Sequence, residues 1–402
     1  MSARVKVRHV AEVIAGQSPD SEAVTLIDGN GTPFLQGNAE FGSTYPTPVY
    51  QCAESRKFAE VNDVLVSVRA PVGAVNVADR RYGIGRGLNA VRAHSVDSRF
   101  LRWFLFAQSE YLQSLAVGST FQAISADQLK ELSIEINDVA TQREIAGFLD
   151  RETAQIDELI AKQELLLDLL AERRQSFISQ ALTSETGQGT RESGVHWLGE
   201  IPASWDLRRF GQVVQIQEGQ VDPQDEQYAD WLLLAPNHIQ KATGRILSLE
   251  TASEQGASSG KYLANKGAVV YSKIRPRLRK AALAPKTCLI SADMYALNAD
   301  PKLLRNEFLL LLVLSNQFSL FTASSSERVA MPKINRETLA QGWVWYPSLQ
   351  RQEEILLDVA ENNSRVDALA ERAAEMIALL KERRQALISA AVTGKIDVTG
   401  KA

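Results

Sequence analysis

Residues 142–183 of this 402-residue chain are written a second time at residues 352–393, 210 positions later and without a gap. The clearest anchor is Glu172-Arg173-Arg174-Gln175 followed by Ile178-Ser179, which returns as Glu382-Arg383-Arg384-Gln385 followed by Ile388-Ser389. A repeat this long at one fixed offset constrains the fold more than any local pattern, because both copies must find equivalent surroundings.

Each copy reads as one long helix. In the first, Ile145, Leu149, Ile156, Leu159, Leu166, Leu170 and Phe177 fall in heptad steps; in the second, Ile355, Val359, Val366, Leu369, Met376, Leu380 and Leu387 do the same. Gly147 is the only glycine in either copy and proline is absent from both, so nothing interrupts the helices. Thr141 with Glu144 has capping-box spacing at the first start. Both seams turn polar at matching places, Glu152 with Asn362 and Arg173 with Arg383. Two readings of the arginines stay open: a polar seam residue fixes register and partner, or the side chain lays its stem along the helix end with its head in water. Two similar seams on one chain most simply bury against each other. With a whole domain between the copies they can lie antiparallel, as a two-helix coiled coil within one molecule. At about 1.5 Å per residue, some 40 residues make a rod of roughly 60 Å.

A chain of this length, 45% hydrophobic, has room for two or three domains. No run of about 18 apolar residues appears and Met1-Ser2-Ala3-Arg4 begins no signal peptide, which leads to the expectation of a soluble, cytoplasmic protein with no membrane partner. Cys52 and Cys288 lie in different segments, so reduced thiols are expected. The net charge of -4 hides a division of labour. Each helix copy carries 8 acids against 5 bases, whereas residues 261–286 carry 8 bases and no acid. A local basic stretch in an acidic chain points to a polyanion there and to protein partners elsewhere.

Before the first helix, the pattern reads as a mixed α/β domain. Val5 to Ile14 alternates weakly as a strand, Gly16-Gln17-Ser18-Pro19 is a turn, and Phe34-Leu35-Gln36-Gly37 is a short strand ended by glycine. Val64-Leu65-Val66-Ser67-Val68 is β-branched and should be a central strand. Gly73, Gly83, Gly85 and Gly87 punctuate loops and short strands beyond it; Phe100 to Leu115 is helical in pattern, and Ser125 with Gln128 caps a further short helix. After a polar, glycine-rich linker the same order recurs. Leu207-Arg208 matches Val7-Arg8, Ala268-Val269-Val270-Tyr271-Ser272 matches Asp63-Val64-Leu65-Val66-Ser67, and Ile334 with Leu339 matches Ile124 with Leu129 at the offset of the helices.

Catalytic signatures are lacking. Gly256-Ala257-Ser258-Ser259-Gly260-Lys261 has three residues where a phosphate-binding loop needs four, and Tyr262 stands where a magnesium-binding hydroxyl belongs. Gly83-Ile84-Gly85-Arg86-Gly87 lacks the strand, helix and downstream acid of a dinucleotide site and reads as a structural loop. His9, His94, His196 and His238 have no ligand-spaced neighbours, so no metal is expected. These absences lead to the expectation of a binding protein.

The linker reads Arg191-Glu192-Ser193-Gly194-Val195-His196-Trp197-Leu198-Gly199-Glu200-Ile201-Pro202-Ala203-Ser204-Trp205. It resembles the segment opening the second target-recognition domain in specificity subunits of type I restriction-modification enzymes. Gly16-Gln17-Ser18-Pro19, the stretch from Asp63 to Gly73, and the twin helices ending in Glu-Arg-Arg-Gln resemble the same family, so the likeness covers essentially the whole chain. The second helix opens as Tyr346-Pro347-Ser348-Leu349-Gln350-Arg351-Gln352, close to the family pattern; the first opens as Ile136-Asn137-Asp138-Val139-Ala140-Thr141-Gln142 and lacks its proline-rich form.

The resemblance implies a non-catalytic subunit with two α/β target-recognition domains in tandem, each followed by a long helix, the helices pairing as an antiparallel coiled coil. The expected boundaries are 1–140 and 205–349 for the recognition domains, 141–183 and 350–394 for the spacer helices, 184–204 for the linker and 395–402 for a tail. It implies that each domain reads one half of a split, asymmetric site in double-stranded DNA. It also implies two modification subunits, which methylate adenine with S-adenosylmethionine, and restriction subunits, which use ATP and magnesium; no cofactor is expected in this chain. Candidate DNA contacts are Lys273, Arg275, Arg277, Arg279 and Lys280, with Arg69, Arg80, Arg81 and Arg86 as the poorer counterpart in the first domain. The competing expectation is a self-sufficient DNA-modifying or DNA-cleaving enzyme with degenerate motifs.

Overall fold

The computed structural model describes residues 3–29, 31–116, 123–185, 189–324 and 332–398. The chain divides into two compact units, Met1–Glu164 with Ala374–Ala402, and Leu165–Ala373. Each unit therefore holds one mixed α/β domain, part of the helix that follows it, and part of the other long helix.

In the first unit a four-stranded sheet runs Ala11–Ala15, Leu88–Ala93, Val64–Ser67, Val75–Val77. The β-branched run Val64–Ser67 is interior to that sheet and buried at every position. A five-stranded sheet orders Val24–Leu26, Tyr50–Cys52, Thr32–Leu35, Tyr82–Ile84 and Phe58–Ala59, with Thr32–Leu35 parallel to Tyr82–Ile84. Ala3–Lys6 pairs with Ser133–Ile136. The weak alternation from Val5 to Ile14 is two strands rather than one, because Val7–His9 makes a 3-10 turn that drives Val7 into the core. The helices are α1 (Ser98–Ala107), capped by the Asp97 carboxylate; α2 (Ser109–Leu115); α3 (Ala126–Lys130), closed by the Ser125–Gln128 capping box; and α4 (Val139–Thr183).

The second unit repeats this plan. A four-stranded sheet orders Val214–Ile216, Met294–Ala299, Val269–Ser272 and Ala281–Leu283; Asp206–Arg209 pairs with Trp343–Tyr346; and a further sheet includes the parallel pair Leu233–Leu234 and Cys288–Ile290. Its helices are the single turn α5 (Phe210–Val213), α6 (Asn306–Leu314), α7 (Asn316–Ser324), α8 (Arg336–Ala340) and α9 (Leu349–Val392). Asn335 caps α8 as Ser125 caps α3, at the 210 offset. Among the described residues no single helix is long and apolar enough to cross a membrane.

The long helices start at Val139 and Leu349, two and one residues before the expected 141 and 350. Asp138, not Thr141, is the cap of α4: its carboxylate accepts from the Thr141 amide (3.0 Å) and hydroxyl (2.8 Å). At the equivalent place in α9 the Ser348 hydroxyl accepts from the Arg351 amide. The C-terminus of α9 closes on Gly394 (φ 67°), with Lys395 N–H bonding Ala390 O in a Schellman arrangement. The end of α4 is finished differently, by the Trp345 indole N–H, which donates to Leu182 O at 2.7 Å.

Within the first unit, Ile145, Ala146 and Leu149 share a core with Ile388, Ala391 and Val392; within the second, Ile178 and Leu182 share one with Ile355 and Val359. In each unit the start of one long helix packs beside the end of the other, so the pairing is antiparallel. The buried seam includes Ile156, Leu170, Val366 and Leu380, and Phe177 and Leu387 are half-buried. Leu159, Leu166, Leu369 and Met376 differ from the expected seam: they are 45%, 38%, 45% and 46% exposed. The half-buried positions there are the next ones along, Ile160, Leu167, Ala370 and Ile377. Each of these neighbours is also apolar, and Leu165-Leu166-Leu167 offers three phases at once, so periodicity alone could not choose. Of the polar seam residues, Glu152 and Asn362 are half-buried beside Thr153 and Asn363, whereas Arg173 and Arg383 are exposed and the seam positions are taken by Arg174 and Arg384.

One buried glutamine ties each domain to the long helix that follows it. Gln142 Oε1 accepts from the Asp97 amide (2.8 Å) while its Nε2 donates to Asn137 O; Gln352 Oε1 accepts from the Arg305 amide (2.9 Å) while its Nε2 donates to Leu303 O and Pro347 O.

Candidate nucleic-acid interface

The second unit's basic loop leaves the interior strand Val269–Ser272 and turns at once. Ser272 Oγ donates to Ile274 O at 3.0 Å, Pro276 is buried, and Arg275 and Arg279 both take left-handed backbone, with φ of 46° and 47°. That conformation costs a residue with a Cβ roughly 1–2 kcal/mol, so the surroundings hold the loop. They do so through a two-way backbone clamp: Arg275 N–H donates to Pro332 O (2.8 Å) and Ile334 N–H donates to Lys273 O (2.9 Å).

This clamp sorts the five expected contacts. Arg275 and Arg277 are exposed, and Lys273 is half-buried with its ammonium 5.5 Å from the Tyr295 ring centre. Arg279 and Lys280 turn inward. Arg279 Nη1 donates to Gln175 Oε1 (2.6 Å), Asn316 Oδ1 (2.5 Å) and, at 3.4 Å, Leu314 O, and its burial pulls its pKa down. Lys280 Nζ donates to Pro236 O at 2.6 Å. Both are engaged by the protein itself, which a count of charges along the sequence cannot reveal.

The same geometry adds two cations. Lys333 bridges Ile274 and is exposed, and Arg336 holds its guanidinium 5.6 Å from the Tyr295 ring while pairing with Glu218 at 2.6 Å. They lie about 60 residues downstream in sequence; only the spacing of the Ile334–Leu339 match hinted that this segment returns to the strand.

In the first unit the four candidates separate. Arg80 pairs with Asp79 (3.0 Å), and Arg81 pairs with Glu60 (3.3 Å) and lies 4.0 Å over Phe58. Both precede the strand Tyr82–Ile84, whereas Arg86 follows it. Arg69 and Arg86 come together with residues that charge did not single out. Val68 N–H donates to Gly87 O, Gln17 N–H to Ile84 O, and Gly85 N–H to Leu35 O, so the chain after four strands emerges along one edge. There the exposed side chains of Gln17, Gln36, Arg69 and Arg86 gather, with Gln36 Nε2 donating to Ser18 Oγ at 2.8 Å and the Arg86 amide donating to the same hydroxyl at 3.3 Å. The glycines make this possible by close approach. A Cβ on Gly16 would lie 2.1 Å from Gly85 O, and one on Gly87 would lie 2.5 Å from Gln36 O. The glycine cluster is thus a packed structural loop that presents amides and guanidinium groups.

Chemically, both edges offer hydrogen-bond donors and acceptors. Among the described residues no three His, Cys, Asp or Glu side chains gather to hold a metal ion. Cys288 is a buried thiol whose pKa burial pushes up to about 11, which leaves it unreactive.

Residues 3–167 and 202–357 match the type I restriction modification DNA specificity domain. The chain is 27% identical over 385 residues to the type I restriction enzyme EcoDI specificity subunit of Escherichia coli, covering 88% of this chain and 84% of that one. It is 34% identical over 176 residues to the putative type I restriction enzyme MjaX specificity subunit of Methanocaldococcus jannaschii, 43% of this chain and 40% of that one. A solved structure concerned with assembly and conformational transition of the type I R-M system is similar in fold over 98% of both chains, with TM-score 0.72 at 16% identity. The duplicated domains, their helices and these matches agree: the chain belongs to the family of DNA specificity subunits of type I restriction-modification systems.

Proposed function

We propose that residues 1–140 and 205–349 each read one half of a bipartite, asymmetric site in double-stranded DNA, and that α4 and α9 set the gap between the halves. The chain is the non-catalytic, sequence-recognising part of a type I restriction-modification assembly. Methylation with S-adenosylmethionine, and cleavage with ATP and magnesium, belong to its modification and restriction partners. The observation that carries this reading is the duplication: the same strand-loop-helix plan appears twice, each copy bearing a polar edge with exposed arginines and each running into a helix of nearly the same length. Two half-sites read by two linked domains gain specificity from their separation, since a wrong gap prevents both domains from binding at once.

Two modification subunits are the stoichiometry we propose. The exposed apolar residues Leu159, Leu166 and Leu169 of α4 recur as Leu369, Met376 and Leu379 of α9, at the same offset. Repeated surfaces fit two copies of one partner.

The test is reconstitution of the chain with its modification partner, followed by methylation mapping on genomic DNA. Two short sequences with a fixed unspecified gap are expected, and no methylation by the purified chain alone. A continuous site, or turnover by the single chain, overturns the reading.

A further inference from the structure

Arg279 sits in the basic loop yet turns the Nη1 group of its guanidinium toward the spacer helix. Its Nη1 reaches Gln175 Oε1 on α4 at 2.6 Å and Asn316 Oδ1 at the start of α7 at 2.5 Å. Gln175 is itself buried and uses its other end on a third segment, donating from Nε2 to Ala242 O at 2.9 Å. Ala242, in left-handed backbone with φ 58°, closes the ring by donating its N–H to Arg279 O at 3.2 Å. Three segments distant in sequence are thus locked through one glutamine of the helix. The segment that carries Ala242 is held to α9 as well, since Arg245 lies 3.7 Å from Asp367 and 3.6 Å from Glu371.

We infer that Arg279 is a positioning residue for DNA recognition: it fixes the basic loop to the spacer helix, so that the distance between the two reading surfaces becomes exact enough to count base pairs. The inference rests on the bipartite reading above. The Nη1 group of Arg279 is engaged inside the protein, on Gln175 and Asn316, and the residue is half-buried, which directs this end of the guanidinium to the helix and away from the exposed Arg275 and Arg277. One Nη1 group meets both Gln175 and Asn316, and the planar guanidinium holds it in a fixed direction where an ammonium would rotate. Released from Gln175, the loop would keep its backbone clamp to Pro332 and Ile334 but lose its side-chain tie to α4, and the reading surface would gain play relative to the helix. Neighbouring base pairs are about 3.4 Å apart, so a few ångströms of play is enough to admit a neighbouring gap length.

The experiment uses the assembled complex with its modification partner and DNA carrying the native half-sites at the native gap and at gaps one base pair longer and shorter. The wild-type complex is mapped first, so that a continuous site exposes a failure of the bipartite reading separately. Arg279→Ala and Gln175→Met are each expected to reduce the preference for the native gap by about tenfold or more while the half-site sequences stay the same. The double variant should be no worse than either single one, because both break the same link. Unchanged gap preference overturns the inference, and so does a changed base preference in the second half-site, which would make Arg279 a reader. If Arg279→Ala does not fold, Gln175→Met decides alone: it keeps the volume and helix propensity of position 175 and removes both hydrogen bonds.

Discussion

Arg174 of α4 forms an ion pair with Asp367 of α9, and the same pair recurs 210 residues away, as Arg384 of α9 with Asp157 of α4. Both arginines lie on the seam side of their helix, so each pair also fixes the antiparallel register. The surroundings differ. The Arg174 side chain is 7% exposed and Asp367 31%, whereas Asp157 is 53% exposed and Arg384 lies 4.9 Å over the Phe106 ring. Removing one partner of a buried pair strands the other charge, at a cost of about 3 kcal/mol. Asp367→Asn is therefore expected to destabilise the second unit by about that amount, and Asp157→Asn to cost less, since Arg384 is 19% exposed and keeps the Phe106 ring beside it. Thermal unfolding of the two variants measures the contrast, and equal shifts would refute it.

Arg275→Ala with Arg277→Ala is expected to weaken DNA binding and flatten its salt dependence. Each phosphate left without its cation lowers the slope of log affinity against log salt by about 0.9. Lys280→Ala should leave the slope unchanged, since its ammonium is bonded to Pro236 O. Titrations at several salt concentrations read both outcomes.

Gln36→Ala is expected to relax one position of the first half-site and leave the second untouched. An amide held at 2.8 Å by Ser18 is pre-set for paired hydrogen bonds to a base edge, which discriminate by about 1–3 kcal/mol. Methylation mapping that shows an unchanged first half-site removes Gln36 from the readers.

How far could the sequence see? The twin helices, the interior strand Val64–Ser67, the α3 cap and the family resemblance all rest on local pattern or on repetition, and those signals survive in a single chain. The seam phase did not, because Leu159-Ile160 and Leu165-Leu166-Leu167 satisfy two periodicities equally. The fate of Arg279 and Lys280 was hidden for another reason: charge is visible in sequence, but the acceptors Gln175, Asn316 and Pro236 come from three other segments. Gln17 and Gln36 carried no signal of their own, since exposed glutamines are common and only the strand ends bring them to one edge.

Inserting four residues at matched points of α4 and α9 lengthens the helices by roughly 6 Å, as a stutter that a coiled coil absorbs by local unwinding. The gap between half-sites is then expected to grow by about one to two base pairs, with both half-site sequences preserved. Methylation mapping of the variant would count against the helices as spacer if the gap stayed the same.

Asp138 and Ser348 cap equivalent helix starts with different chemistry, and pH should separate them. The Thr141 amide and hydroxyl hold the Asp138 carboxyl below its ordinary pKa. A depressed folded pKa means that the cap stabilises above the usual carboxylate range of about 4 and is lost as pH falls through the lowered folded value. Asp138→Ala should lower the thermal midpoint at neutral pH, with the difference closing under acid conditions, whereas Ser348→Ala should show an offset independent of pH in that range.

The division of the chain into Met1–Glu164 with Ala374–Ala402, and Leu165–Ala373 in between, has a consequence for synthesis. Chains are made from the N-terminus and domains fold as units while they emerge. The second unit has all of its residues once Ala373 is made, but the first must wait for Ile388, Ala391 and Val392 to cover Ile145, Ala146 and Leu149. The unit begun first is therefore finished after the second, and until residues 388–392 are made the start of α4 lacks the part of its apolar cover that they supply.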